Sequence, residues 1–136
     1  MEPIKGWFQV WLEYIKEVYG ALKGGKAALE SGGPFSGRIG IRRFWTFTLV
    51  TIVISIVLLA IEGVIFIGVL GIFVTPLSSI FGLATLIPSI SAGIRRLHDI
   101  GKIGWWLLVP LYNIYLWIQK GDASENQYGP VPTDIA

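Results

Sequence analysis

Between Phe44 and Ile94 the sequence runs for 51 positions with one charged residue, Glu62, and between Ile103 and Gln119 it has none. The natural solvent of such runs is lipid. At 1.5 Å per residue a helix of 51 residues would be roughly 76 Å long, against a hydrocarbon core of about 30 Å, which fits two spans and a turn. Proline is poorly tolerated inside a helix but well tolerated in its first turn, so Thr75-Pro76 marks the turn. The expected spans are Phe44 to Phe66 and Leu77 to Ile94, joined through Gly68 and Gly71. A third begins near Ile103. Its 17 uncharged residues include Pro110 and would give about 25 Å of helix, either a short kinked crossing or a re-entrant segment.

The flanks set an orientation. Residues 1–43 carry seven Lys/Arg against four acids, and 95–102 carry Arg95, Arg96 and Lys102 against Asp99. Beyond 119, Lys120 faces Asp122, Glu125 and Asp134. Both basic segments are expected in the cytoplasm, which requires an even number of crossings between them. A third crossing then places the acidic tail outside. Trp105 and Trp106, with Tyr115 and Trp117, are expected as aromatic belts on opposite sides of the membrane.

The amino-terminal segment differs in kind. Ile4, Trp7, Phe8, Trp11, Leu12, Ile15, Val18, Tyr19 and Leu22 recur every three or four positions, while Gln9, Glu13, Lys16, Glu17 and Lys23 fall on other faces. This is an amphipathic helix, not a signal peptide, because its apolar residues are periodic rather than a block. The reading preferred over packing on the span bundle is a helix lying in the cytoplasmic interface. Gly24-Gly25 and Gly32-Gly33-Pro34 end it and form a loose link.

Charge and composition remove several function classes. A net charge of +2 does not suit a nucleic-acid binder. With no Cys and a single His there is no thiolate nucleophile or Cys-based metal site, and no cofactor is implied.

Four blocks occur in order: Phe35-Ser36-Gly37-Arg38, Arg42-Arg43-Phe44-Trp45, Arg95-Arg96-Leu97-His98-Asp99-Ile100-Gly101-Lys102 with Gly104-Trp105-Trp106, and Asn126-Gln127-Tyr128-Gly129-Pro130-Val131-Pro132. Over residues 35 to 132 this resembles the domain-of-unknown-function 805 family of small bacterial inner-membrane proteins. The resemblance implies architecture and compartment and supplies no mechanism. Where the family usually has an Arg and a Glu before the Trp, this chain has Ile41 and Arg43, and Gln127 replaces an Arg.

The Arg95 block also reads directly. On a helix continuing to Asp99, Arg95 and Asp99 are i,i+4, Arg96 and Asp99 are i,i+3, and Gly101 ends the helix. An Arg-rich stop that fixes topology accounts for the block by itself. The functional reading is a patch of Arg95, Arg96, His98, Asp99 and Lys102, held at headgroup depth by Trp105 and Trp106, for lipid phosphates or a partner's carboxylates. A His98–Asp99 catalytic pair is weak, since neighbours on a helix diverge by about 100 degrees and no nucleophile stands at a recognisable spacing.

Ser78, Gly82, Thr85, Ser89 and Gly93 form a small-residue stripe expected to pack against another helix. Pro88 beside it leaves the Ala84 carbonyl seeking another partner. Glu62 falls about 27 Å along its helix, near the far interface, where a structural role outweighs a transport role. Asn113 is expected to satisfy backbone freed around Pro110.

The chain is thus read as an all-α integral membrane protein of the bacterial inner membrane: an amino-terminal interfacial amphipathic helix followed by three transmembrane helices. Residues 1–34 are helix and linker, 35–132 the three-span domain, and 133–136 a tail, with the amino terminus cytoplasmic. The expected role is non-enzymatic binding or scaffolding, recognising anionic lipid, a membrane protein partner or a second copy of the chain. The alternative is a small oligomeric transporter or channel subunit, which would need a water-accessible face including Glu62, Asn113 and the Ser/Thr of the second span.

Overall fold

The computed structural model describes residues 2–24, 33–71 and 74–132, with side chains from residue 6 onward. Gly25 to Gly32 of the expected linker, the 133–136 tail with Asp134, and the side chain of Ile4 lie outside the described residues. Four helices carry the fold: α1 (Glu2–Lys23), α2 (Ile41–Glu62), α3 (Pro76–Asp99) and α4 (Tyr112–Trp117). The described residues include no strand, and Asn126 and Gly129 make one isolated antiparallel bridge.

Helix α2 starts at Ile41, earlier than expected, because extended Gly40 stands at its N-cap (φ −71°, ψ 159°) and Arg42 and Arg43 join the first turn. Past Glu62 it widens into a π-helical stretch, Gly63–Ile67, closes with Gly68–Leu70, and stops at Gly71 in the left-handed region (φ 68°). The continuous helix Ile41–Leu70 has 30 residues, about 45 Å. Pro76 sits in the first turn of α3, as its chemistry requires. The carboxy end of α3 is a Schellman motif: Lys102 N–H donates to the Leu97 carbonyl (2.9 Å), Gly101 N–H donates to His98 (3.0 Å), and Gly101 takes φ 74°.

Both long helices can cross a membrane by length and composition. Only 6% of the most apolar window of Ile41–Leu70 and 28% of that of Pro76–Asp99 is buried. A core helix of a water-soluble protein would hide these side chains; here they face outward, where lipid can cover them.

Residues 103–119, expected as either a short kinked crossing or a re-entrant segment, do not form one continuous helix. A 3₁₀ segment, Gly104–Leu108, is followed by a reversal and the six-residue α4. Pro110 lacks an N–H, and its carbonyl accepts from Tyr112 N–H (2.8 Å) across Leu111 at φ 67°, a γ-turn that sends the chain back. The outgoing limb passes Ile94 and Gly93 at Gly104 and Leu107, and the returning limb passes Gly93 at Trp117. Asp122 N–H then donates to the Asp99 carbonyl (2.8 Å), so the hairpin leaves and rejoins the same end of α3. Five 3₁₀ residues advance only about 10 Å, far short of the hydrocarbon core. Trp106 and Tyr115, placed in belts on opposite sides, are instead bridged by Tyr112, with ring centroids 5.3 Å apart for Trp106–Tyr112 and 5.8 Å for Tyr112–Tyr115.

Helix α1 packs on α2 and α3 through Trp11, Tyr14 and Val18, the contact weighed as the lesser alternative. Apolar burial stabilises little in lipid, so polar connectors matter there. Trp11 Nε1 donates to Thr51 Oγ1 (2.8 Å), the Tyr14 hydroxyl shares a 2.9 Å bond with Ser91, and Ser91 donates to the Pro34 carbonyl (2.5 Å). The Tyr19 hydroxyl donates to the Ala84 carbonyl, the group that Pro88 leaves without its helical partner. Trp7, Phe8 and Leu22 on the same helix remain exposed.

Candidate functional site

The Asp99 carboxylate at the end of α3 is buried between two arginines. Arg38, from the segment entering α2, donates through Nε to Oδ1 at 3.0 Å, and Arg96, one turn back on α3, pairs with Oδ2. Arg96 is 0% exposed and Asp99 3%. Two cations around one anion would be costly in so dry a place without further acceptors. Backbone carbonyls supply them. Arg38 also reaches the carbonyls of Asp122 (2.7 Å), Ser124 (2.9 Å) and Gly129 (3.2 Å), while Arg96 reaches those of Trp117 (3.1 Å) and Gln119.

The Asn126 block locks onto the same knot. Asn126 Nδ2 donates to the His98 carbonyl (3.0 Å) and to Asp122 Oδ2 (2.8 Å), and its Oδ1 accepts Tyr128 N–H (2.9 Å), closing an Asx-turn. Tyr128 then stacks on His98 with centroids 3.9 Å apart and planes 6° apart. His98 Nδ1 lies 2.9 Å from the Gly37 carbonyl oxygen. The separated sequence blocks thus become neighbours around Asp99.

The expected patch divides. Arg96, His98 and Asp99 belong to the buried knot. Arg95 turns the other way, onto α1: it bonds Glu17 (2.8 Å) and lies over the Tyr14 ring (5.5 Å), where Arg43 joins both contacts. Burial raises the affinity of Glu17 for a proton, but the hydrogen bonds and charges of Arg43 and Arg95 outweigh it and hold the carboxyl below the usual glutamate range. The departure at Arg43 is therefore accommodated by an acid from α1, while Gln127 is exposed. Lys102, Trp105 and Trp106 face outward.

The small-residue stripe divides too. A Cβ on Gly93 would lie 2.7 Å from Leu107 Cδ1 and 3.1 Å from Trp117 Cζ2, so this is the close approach; Gly82 has open space around it, and Ser89 is exposed. Thr85 is buried and back-bonds to Phe81 (2.8 Å), and Ser78 belongs with Glu62. Glu62 caps α3 from the neighbouring helix, accepting from Leu77 N–H, Ser78 N–H (3.1 Å) and the Ser78 hydroxyl. Asn113 Nδ2 donates to the Leu107 carbonyl (2.9 Å), as the reversal at Pro110 requires.

Sequence reasoning missed Arg38 as the second partner of Asp99, and Gly121, where a Cβ would lie 2.0 Å from Asp99 Oδ2. Arg38 stood in a quoted motif, but nothing in periodicity pairs residues 61 positions apart.

Two outward-facing apolar helices joined to a charged knot at one end define an all-helical membrane protein. Residues 34–130 match the family model described as Protein of unknown function (DUF805), and the chain belongs to that family. It is 30% identical over 105 residues to inner membrane protein YhaI of Escherichia coli strain K12, covering 72% of this chain and 85% of that protein. It is 32% identical over 108 residues to inner membrane protein YhaH of the same strain, covering 72% and 86%. No solved structure matches the chain. The knot falls within the matched residues and α1 outside them. With these relatives and its two apolar helices, this is an inner-membrane protein.

Proposed function

We propose that this protein is a non-enzymatic binding or scaffolding component of the inner membrane whose cytoplasmic rim recognises anionic lipid. The observation that carries this reading is the saturation of the Asp99 knot. Both carboxylate oxygens hold arginines, and the His98 ring is fixed by Gly37 and Tyr128. The His98–Asp99 pair considered for catalysis is thereby engaged in holding the carboxy-terminal arm to α3. Outward at the same end stand Lys102, Trp105 and Trp106, a cation beside amphipathic rings, which suits an anionic headgroup layer.

In this reading α2 and α3 cross the bilayer and residues 103–119 re-enter it. The amino terminus, Lys102 and the arm over residues 120–132 then share the cytoplasmic side. Helix α1 is tied to that interface at Glu17 and runs along the bundle, with its Trp11–Tyr14–Val18 face on α2 and α3 and Trp7 and Phe8 toward lipid. A membrane protein partner or a second copy would use the outward faces of α2 and α3. The transporter alternative needs a polar face open to water. The mutual engagement of Glu62 and Ser78, and the backbone bonds of Thr85 and Asn113, support the binding reading over it.

Mass spectrometry of lipid retained by the gently purified protein tests the proposal. One surface cation contributes about 1 kcal/mol, so Lys102→Gln should lower the ratio of anionic to zwitterionic lipid about fivefold. An unchanged ratio would remove the lipid reading, and crosslinking in native membranes would then identify a protein partner.

A further inference from the structure

His98 is the only histidine of the chain, and one edge of its ring is unused. The Gly37 carbonyl can only accept, so the Nδ1 atom 2.9 Å away carries a proton. Tyr128 covers one ring face. Nε2 has no hydrogen-bond partner among the described residues, although the residue is only 9% exposed. A neutral ring with its proton fixed at Nδ1 presents a lone pair at Nε2, held in place by the knot behind it.

His98 lines a cavity of about 370 Å³ between the end of α3 and the outgoing limb of the hairpin. The other walls are Phe35, Ile94, Gly104, Trp105, Leu107 and Leu108. This volume is within the usual range of small-molecule sites, and one placed polar group in an apolar slot is their usual composition. Trp105 and Leu108 are 75% and 69% exposed, so the slot opens where lipid surrounds the hairpin. Among the described residues no Lys, Arg, Asp or Glu lines it, and the nearby Arg38 and Arg96 are engaged by Asp99 and backbone carbonyls. An anionic headgroup would find no counter-charge there, whereas a hydroxyl would find an acceptor.

We propose that this cavity binds a neutral, hydroxyl-bearing amphiphile drawn from the bilayer, such as a long-chain alcohol, a phenol or a diacylglycerol. Its hydroxyl donates to His98 Nε2, and its chain lies against Phe35, Trp105 and Leu108. The site shares Trp105 with the outward rim but makes no use of Lys102.

The single histidine makes the test direct, because its two ring nitrogens are the only imidazole signals in protein labelled at histidine nitrogen. In phosphatidylcholine nanodiscs, titration with decanol should move the Nε2 resonance saturably toward its protonated position while Nδ1 stays in place. Decane, which has no donor, should leave Nε2 where it is. Decanoate should bind about tenfold more weakly than decanol, since its ionised head cannot donate and must be desolvated. Leu108→Trp, which narrows the slot and leaves the knot untouched, should weaken the decanol response about tenfold with Nδ1 unchanged. The proposal is overturned if Nε2 is already protonated at neutral pH without ligand, if it ignores decanol, or if it responds equally to decane. A decanol response undiminished in Leu108→Trp would overturn it as well. The wild-type comparison of the three probes decides the matter even if that variant does not fold.

Discussion

The two ends of α3 are finished in opposite ways. At Pro76 one carboxylate, Glu62, reaches across from the preceding helix and accepts from the first-turn donors, a local contact spanning only 15 or 16 positions. At Asp99 the backbone closes its own carbonyls with a Schellman turn, and the side chains instead gather segments from 61 positions upstream and 23 positions downstream. The first end needs one acceptor because its orphan groups are a few N–H donors that the helix dipole already makes attractive to an anion. The second end organises the domain: the entry to α2, the returning hairpin and the carboxy-terminal arm are all bound through Asp99 and its two arginines.

Substitution at each end should expose this difference. Asp99→Asn leaves Arg38 and Arg96 without their anion in a dry site, and should cost about 3–5 kcal/mol in thermal or denaturant unfolding. Glu62→Gln keeps an amide oxygen that can still accept from Leu77 and Ser78, and should cost clearly less. Equal losses would break the contrast. Gly121→Ala should act like Asp99→Asn, because its Cβ would displace the same carboxylate.

Along α3 the next largest effect separates Gly93 from Gly82. Leu at 93 must push Leu107 and Trp117 aside, costing about 1–3 kcal/mol, whereas Leu at 82 enters open space and should be nearly neutral. A loss of oligomer at Gly82→Leu, measured by mass photometry in detergent, would show that a second copy packs there.

Between the two ends, Tyr19→Phe removes the donor that satisfies the Ala84 carbonyl opposite Pro88. The expected cost is about 1–3 kcal/mol in thermal unfolding, and no loss would mean that the backbone carbonyl opposite Pro88 needs no partner.

The smallest effect lies at Glu17. Its carboxyl titrates lower in the folded protein than in the unfolded chain, so its stabilising contribution is fully present above the unfolded value and fades as pH falls through the folded one. The carboxylate is 42% exposed, so after solvent screening the contribution is a fraction of about 1 kcal/mol. The melting-temperature advantage of the parent over Glu17→Gln should be constant from neutral pH to about pH 5 and shrink progressively as the pH falls below the ordinary glutamate range. An advantage that grows on acidification would reverse the sign and remove the latch.

What could be read from the sequence follows the same division. Pro76 at a helix start, Gly101 at a helix end, the Ala84 carbonyl orphaned by Pro88 and the i,i+3 pair Arg96–Asp99 are all local, and each is present as spacing alone implies. For residues 103–119 the sequence leaves a crossing and a re-entrant segment both open, because absence of charge reports a lipid environment, not the direction of the chain. The reversal depends on a γ-turn at Leu111, a residue with no turn preference. The expected patch counted Arg96 and Asp99 as available because their partners, the Arg38 side chain and the carbonyls of Trp117 and Gln119, are distant in sequence. Helix α1 read as amphipathic, but its apolar period could not say whether the apolar face meets lipid or protein. Trp11 and Tyr14 meet protein, while Trp7 and Phe8 remain exposed.

The return of the arm to the Asp99 end of α3 can be tested most directly by the sidedness of residue 125. The sequence contains no cysteine, so single cysteines can be placed at Glu125, at Lys102 and at Val74, all exposed positions. With a membrane-impermeant maleimide, Glu125→Cys and Lys102→Cys should label together in inside-out vesicles and resist labelling in spheroplasts, with Val74→Cys showing the reverse. Labelling of Glu125→Cys from the same side as Val74→Cys would make residues 103–119 a true crossing and would contradict the closed knot.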